Sequence, residues 1–242
     1  MIESDELPPQ RPDEGAEEES GLRLSFAEAR VLGCLWEKEA TTPDYYPMTL
    51  NSLQTACNQK SNREPVSEFD EATVDRAVEG LRDKHLAAKV HLAGSRAPKY
   101  KHTTDRVFNL EPAQRAILTV LLLRGTQTSG ELNQRTERIH KFSGTSAVEH
   151  VLGTLINFPS GALVRRLPAG SGRRVETFAH LLSGEPSVQA VSGGGGSVSA
   201  EQIVLEEEAS WRRKLEEEVA SLRSEVSEMR ELLDDLRRQL LG

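Results

Sequence analysis

The residues best equipped for recognition chemistry fall in one polar run and two basic clusters. The run NQKSNREP, Asn58 to Pro65, sets Asn58, Gln59, Lys60, Ser61, Asn62 and Arg63 side by side. These amides and cations can donate to carbonyl, carboxylate or phosphate oxygens. Just upstream, TTPDYYP (Thr41 to Pro47) adds Tyr45 and Tyr46, whose rings offer stacking area and whose hydroxyls offer a hydrogen bond. Two tyrosines beside an amide-rich loop suit recognition of a peptide or a nucleic-acid backbone. They suit equally well an internal strut that packs the loop. Of the basic clusters, one holds Arg96, Lys99, Lys101 and His102, and the other Arg165, Arg166, Arg173 and Arg174. Their chemistry is attraction of phosphate.

Catalytic constellations are not evident. The histidines at 85, 91, 102, 140, 150 and 180 share no metal-ligand spacing with each other or with a cysteine. The glycines Gly193 to Gly196 lead into no Lys-Ser/Thr motif, so they do not read as a phosphate-binding loop. No Ser or Cys stands in a nucleophile context. Cys34 and Cys57 are too few for a disulfide framework, and Cys34, on an apolar helical face, reads as a small core residue. The expectation is a non-enzymatic protein with no metal and no cofactor.

The elements that position these groups repeat. Sliding the sequence by 86 positions lays LSFAEARVLGCLWEKE (Leu24 to Glu39) on LEPAQRAILTVLLLRG (Leu110 to Gly125), pairing Leu24 with Leu110, Leu32 with Leu118 and Leu35 with Leu121. A period that long fits a duplicated small domain. In the first copy, Ser25 to Glu28 is a capping box opening a helix that buries Ala27, Val31, Cys34 and Leu35. TTPDYYP is too rich in turn formers to be helical. A short helix runs from Thr49 to about Asn58, and Asp70 caps a third with Val74, Ala77, Val78 and Leu81 inside. Strands at 86–91 and 98–103 then turn at Ala93 to Arg96. The second copy repeats the order. Pro112 sits in the first turn and Gly125 at the end of its first helix. Thr128 to Glu131 caps the next helix, a third helix spans 145–157, and strands lie at 162–167 and 173–180. Three helices followed by a hairpin, twice, describe two tandem winged-helix domains in a mainly α chain with small β-hairpins, at 22–107 and 108–182.

Beyond a flexible linker at 183–200 the pattern changes to a coiled-coil helix at 201–242. Leu215, Val219, Leu222, Val226, Met229, Leu233, Leu236 and Leu240 alternate spacings of four and three. Valines at two a positions with leucine at most d positions favour a parallel dimer. Glu218 and Glu225 at g face Arg223 and Arg230 at e of a parallel, in-register partner. The seam is about 39 Å long at 1.5 Å per residue. The other reading of the same helix is a single amphipathic helix folded back on its own domain.

Charge divides the same way. Residues 1–21 hold one Arg against eight acids, net −7; residues 22–182 hold 22 Lys and Arg against 17 acids, net +5; residues 183–242 hold seven against 13, net −6. The first segment has little to bury and reads as a disordered acidic tail. It has neither the basic nor the apolar region of a signal peptide, and no apolar run reaches the roughly 18–20 residues of a membrane span. A cytoplasmic protein with no membrane partner is expected. The positive body and basic wings suggest duplex DNA. The third helices argue against groove insertion. Residues 70–84 carry five acids against Arg76, Arg82 and Lys84, and residues 145–157 carry Glu149 and no Lys or Arg, where base reading needs Arg, Lys, Asn or Gln. Phosphates would have to be tracked by the wings and the 58–65 loop, with Lys60, Arg63, Arg135, Arg138 and Lys141 nearby. The alternative is a protein–protein adaptor with no direct contact to DNA.

The runs ARVLGCLWEKEATTPDYYPMTLNSLQTACNQKSNREPV (Ala29 to Val66), GSRAPKYKH (Gly94 to His102), LLLRGTQTSGEL (Leu121 to Leu132) and TERIHKF (Thr136 to Phe142) resemble the YceH-like family. The resemblance covers roughly residues 22–182. It implies tandem winged-helix domains, often followed by a C-terminal coil, and supplies no catalytic residues. Two readings stand: a homodimeric regulatory DNA binder, or an adaptor. Because TTPDYYP and NQKSNREP belong to the first copy alone, function is expected there.

Overall fold

The computed structural model describes residues 22–92, 97–169, 175–186 and 200–241, the side chains of Ala200, Glu201, Glu208, Lys214, Glu228 and 231–241 excepted. Arg96, Arg173, Arg174, the acidic tail and most of the expected linker lie outside the described residues, as do the side chains of Leu233, Leu236 and Leu240.

Helix α1 (Phe26–Thr41) opens with the expected capping box: Ser25 accepts from the Glu28 amide and Glu28 reaches back to the Ser25 amide. A 3-10 turn at Pro43–Tyr45 follows, so the TTPDYYP stretch is not wholly irregular. Thr41 completes α1, and Pro43 starts the turn because its fixed φ suits a first helical position. Helix α2 (Leu50–Cys57) is capped by Thr49, and α3 (Glu71–Asp83) by Asp70, whose carboxylate accepts from the Thr73 amide at 2.8 Å. Strands β1 (Ala87–Val90) and β2 (Lys99–His102) pair antiparallel.

The same order recurs in α4 (Pro112–Arg124), α5 (Ser129–Arg135), α6 (Thr145–Ile156), β3 (Val164–Leu167) and β4 (Thr177–His180). Gly125, at φ 69°, closes α4 where an L side chain would be strained. Each strand pair gains one further rung. Met48, between α1 and α2, exchanges both backbone hydrogen bonds with Tyr100, at 3.0 and 2.7 Å. Gln127, between α4 and α5, does the same with Phe178. A single-residue bridge has no period, so no strand signal marks it in the sequence.

The two copies share one core. Val31, Leu32 and Leu35 of α1 and Ile117, Leu118 and Leu121 of α4 are fully buried in a continuous apolar cluster. The helices cross at Gly33: a Cβ there would stand 2.9 Å from the Leu123 side chain and 3.2 Å from that of Leu122. The absence of a side chain on Gly33 is what lets the two helices approach.

Helix α7 (Ala200–Leu241) begins against this body. Glu207 accepts from the Phe26 amide at 3.0 and 3.1 Å, and Val204 packs on the core. The first residues of the expected linker are also fastened. Leu24 donates to Leu182 O at 2.7 Å, Arg23 to Ser183 O at 3.3 Å, and Glu185 pairs with Arg165 at 2.7 Å. No described helix is long and apolar enough to cross a membrane.

Candidate functional site

The 58–65 loop is the richest cluster of donors, and its arginine points inward. The side chain of Arg63 is fully enclosed. Its Nη2 pairs with Glu37 Oε2 at 2.6 Å and its Nη1 with Oε1 at 3.2 Å, while Nε donates to Ala56 O and Nη1 to Asn62 O. This is a forked guanidinium–carboxylate pair with two further protons bonded to backbone carbonyls. Burial opposes ionisation of Glu37, but the bonded Arg63 outweighs it and holds the carboxyl below its usual range. Asn58 clamps the chain, donating to Phe69 O at 2.8 Å and accepting from the Phe69 amide at 2.8 Å. Asn62, in the left-handed region at φ 60° that Asn tolerates, accepts from Arg124 of α4 at 2.9 Å. The Glu64 amide donates to Leu123 O at 2.9 Å. Asn58 and Arg63 therefore do not present donors to a ligand: they and Asn62 brace α1 and α2 against the end of α4. Of the candidates here Lys60 and Asn62 are exposed, and Lys60 meets Glu68 at 3.1 Å.

The tyrosines part company. Tyr45 is 80% exposed. Tyr46 is half-buried, its hydroxyl accepting from the His102 amide at 2.7 Å, and burial pushes its phenol up. His102 is not a wing charge either, because it lies on the inner face of β2 and is buried. Trp36 Nε1, which can only donate, bonds Thr104 Oγ1 at 3.1 Å, and that hydroxyl shares a hydrogen bond with His102 Nδ1 at 3.0 Å. On the other side of the ring, Nε2 lies 2.6 Å from Glu39 Oε2. Arg115 of α4 joins through Glu39 at 3.5 Å and Asp105 at 3.6 Å. A hydroxyl, an imidazole and a carboxylate in sequence resemble a nucleophile relay. Thr104 is 1% exposed and covered by Trp36, so its oxygen is closed to a substrate, and the network ties the first copy to α4.

The two strand pairs keep part of their charge. Lys99 and Lys101 are two apart in β2 and share the outer face of the hairpin. Arg165 and Arg166 are adjacent in β3 and therefore point to opposite faces. Arg165 pairs with Glu185, while Arg166 stacks on the Phe178 ring and pairs with Glu176 at 3.4 Å. The outward residues of α3 include Glu71, Asp75, Arg76 and Asp83, and those of α6 include Thr145, Ser146, Glu149 and His150. Among the described residues no group of three or more His, Cys, Asp or Glu could hold a metal ion.

The other exposed chemistry is apolar. Leu215, Val219, Leu222, Val226 and Met229 of α7 are 38–56% exposed, although they are the apolar residues of the helix. Leu205 and Trp211, nearer its start, are exposed as well.

Comparison with known proteins places this geometry. A family model described as "Protein of unknown function, DUF480" matches residues 24–173. A UPF0502 protein of Geobacter sulfurreducens is 49% identical over 219 residues, covering 90% of this chain and 98% of its own length. One from Vibrio atlanticus is 45% identical over 222 residues, covering 88% and 98%. One from Dechloromonas aromatica is 41% identical over 215 residues, covering 89% and 96%.

Proposed function

The chain belongs to the family described as protein of unknown function DUF480, and from its geometry we propose a non-enzymatic homodimer of tandem winged-helix units that works by holding a protein partner. The winged-helix reading is supported by the repeated order of three helices and an antiparallel pair. The rungs at Met48 and Gln127 support it further, since each adds the short strand of a winged helix between its first two helices. The observation that carries the dimer is the row from Leu215 to Met229, exposed at heptad spacing. Glu218 and Glu225 flank it at g with Arg223 and Arg230 at e, which attract across a parallel pair and repel like for like across an antiparallel one.

A protein partner is favoured over DNA by the fate of the cations. Arg63 is internal, Arg165 and Arg166 are paired with acids on opposite faces, and α6 has no Lys or Arg. The DNA reading keeps one specific support, Lys99 and Lys101 on a single outer face. Titration of duplex DNA between about 50 and 200 mM salt separates the two, because phosphate tracking demands a steep salt slope. The adaptor reading expects no such binding. It also expects a stoichiometric protein partner that Tyr45→Ala releases without changing stability. Salt-dependent duplex binding, weakened by Lys99→Ala with Lys101→Ala or by Arg173→Ala with Arg174→Ala, would replace the adaptor with the DNA binder.

A further inference from the structure

In the second copy, α4 and α6 meet along an open groove of about 900 Å³, near the upper end of the roughly 300–1,000 Å³ of ligand clefts. Its base is fixed. Gln114 of α4 is buried; its amide nitrogen donates to Thr154 Oγ1 of α6 at 2.9 Å, and its oxygen accepts from the Glu111 amide at 3.0 Å. Glu149, Gly153 and Asn157, four positions apart, share the helix face that lines the groove. Leu110 and Phe158 supply apolar surface beside it. Gly153 has no packing role: an added Cβ would meet nothing within 4 Å. A glycine inside a helix is destabilising against alanine, and at Gly33 that cost lets two helices cross. At Gly153 the missing side chain does one thing, which is to keep the groove deep.

The charge on this groove has one sign. Glu111 and Glu149 line it, with His150 as the other titratable group and no Lys or Arg among the described lining residues. Glu149 Oε1 accepts from Ser129 Oγ at 3.2 Å, which positions the carboxylate and leaves its second oxygen open. Among the described residues neither glutamate takes part in an ion pair. A phosphate would be repelled here, whereas a guanidinium finds a carboxylate that it can grip with two parallel hydrogen bonds. We propose that the groove takes an extended, arginine-bearing segment of a protein partner. Its cationic side chains pair with Glu111 and Glu149, and an apolar one rests on Leu110 and Phe158. The proposal rests on the adaptor reading and gives the partner a chemistry, at a face of the second copy separate from Tyr45.

The test titrates the full chain with a capped peptide of three Arg-Leu-Gly repeats, read by calorimetry and by backbone amide chemical shifts. Shifts should concentrate at residues 109–114 and 149–158. Affinity should fall between about 50 and 200 mM salt as exposed pairs are screened, and three Glu-Leu-Gly repeats should not bind. Gly153→Phe fills the groove, and Glu111→Gln with Glu149→Gln keeps its shape but removes its charge. Each should weaken binding at least about fivefold. No binding of the arginine peptide at about 1 mM would overturn the proposal. So would shifts centred elsewhere, or affinity kept within about twofold in either variant. A Gly153→Phe chain of lower sedimentation mass would give the groove to a second copy and overturn it as well. The adaptor reading fails separately, when no protein is held that Tyr45→Ala releases.

Discussion

At the scale of single residues, several polar groups that look outward in the sequence are internal in the fold. Arg63 is the sharpest case. Removing its side chain leaves the half-buried Glu37 carboxyl with Lys38 alone, at 3.3 Å, as its cation and cuts the bonds to Ala56 and Asn62. Arg63→Ala should therefore cost about 3 kcal/mol or more in urea unfolding, the usual penalty for stripping one partner from a buried pair. A cost below about 1 kcal/mol would mean that the brace contributes little. His180 makes the opposite demand. Its Nδ1 is enclosed without a partner, and burial lowers its pKa from 6.5 to about 4. Between those values the unfolded chain binds a proton that the folded chain does not. Stability should fall as pH drops from about 6.5 to about 4, by up to about 3 kcal/mol, and level off below. Unfolding curves across that window should lose this slope in His180→Phe. Carboxylates such as Glu37, held low by Arg63, act at more acid pH, so the difference between wild type and variant isolates the imidazole.

At the scale of elements, most of the secondary structure was legible because it is written locally. The caps at Ser25, Thr49, Asp70 and Thr128, Pro112 at its helix start and Gly125 at its end each act within one turn of helix. Alternation and spacing likewise placed the buried faces of α1 and α3. What could not be read was tertiary. The rungs at Met48 and Gln127 have no local pattern. Whether Asn58, Arg63 or His102 faces solvent depends on Glu37, Phe69 and Glu39 folding back on them, and composition does not encode that. The repeat showed that two helices were alike without showing that they pack on each other at Gly33. Gly33→Ala should push α1 from α4 and cost about 1–3 kcal/mol. Gly153→Ala in α6, where an added Cβ meets nothing within 4 Å, should stabilise by about 0.5–1 kcal/mol. Thermal or urea unfolding of the pair checks both signs, and a neutral Gly33→Ala would remove the close crossing from the account.

At the scale of the whole molecule, the body is closed upon itself. Its two copies share a core, its polar loop is a brace, and its wing arginines at 165 and 166 are paired. Among the described residues the long surface left unmatched is the apolar row of α7, a helix that meets the body near its start through Val204 and Glu207. On the proposed reading a second copy would supply the complementary surface, and two bodies on one parallel coil would present two equal faces to a partner. Sedimentation equilibrium of the full chain and of Leu222→Glu bears on this most directly. The account expects a mass near twice 26.7 kDa for the wild type and a single-chain mass for the variant, with the body still folded. A wild-type monomer, or a dimer that Leu222→Glu leaves intact, would contradict it.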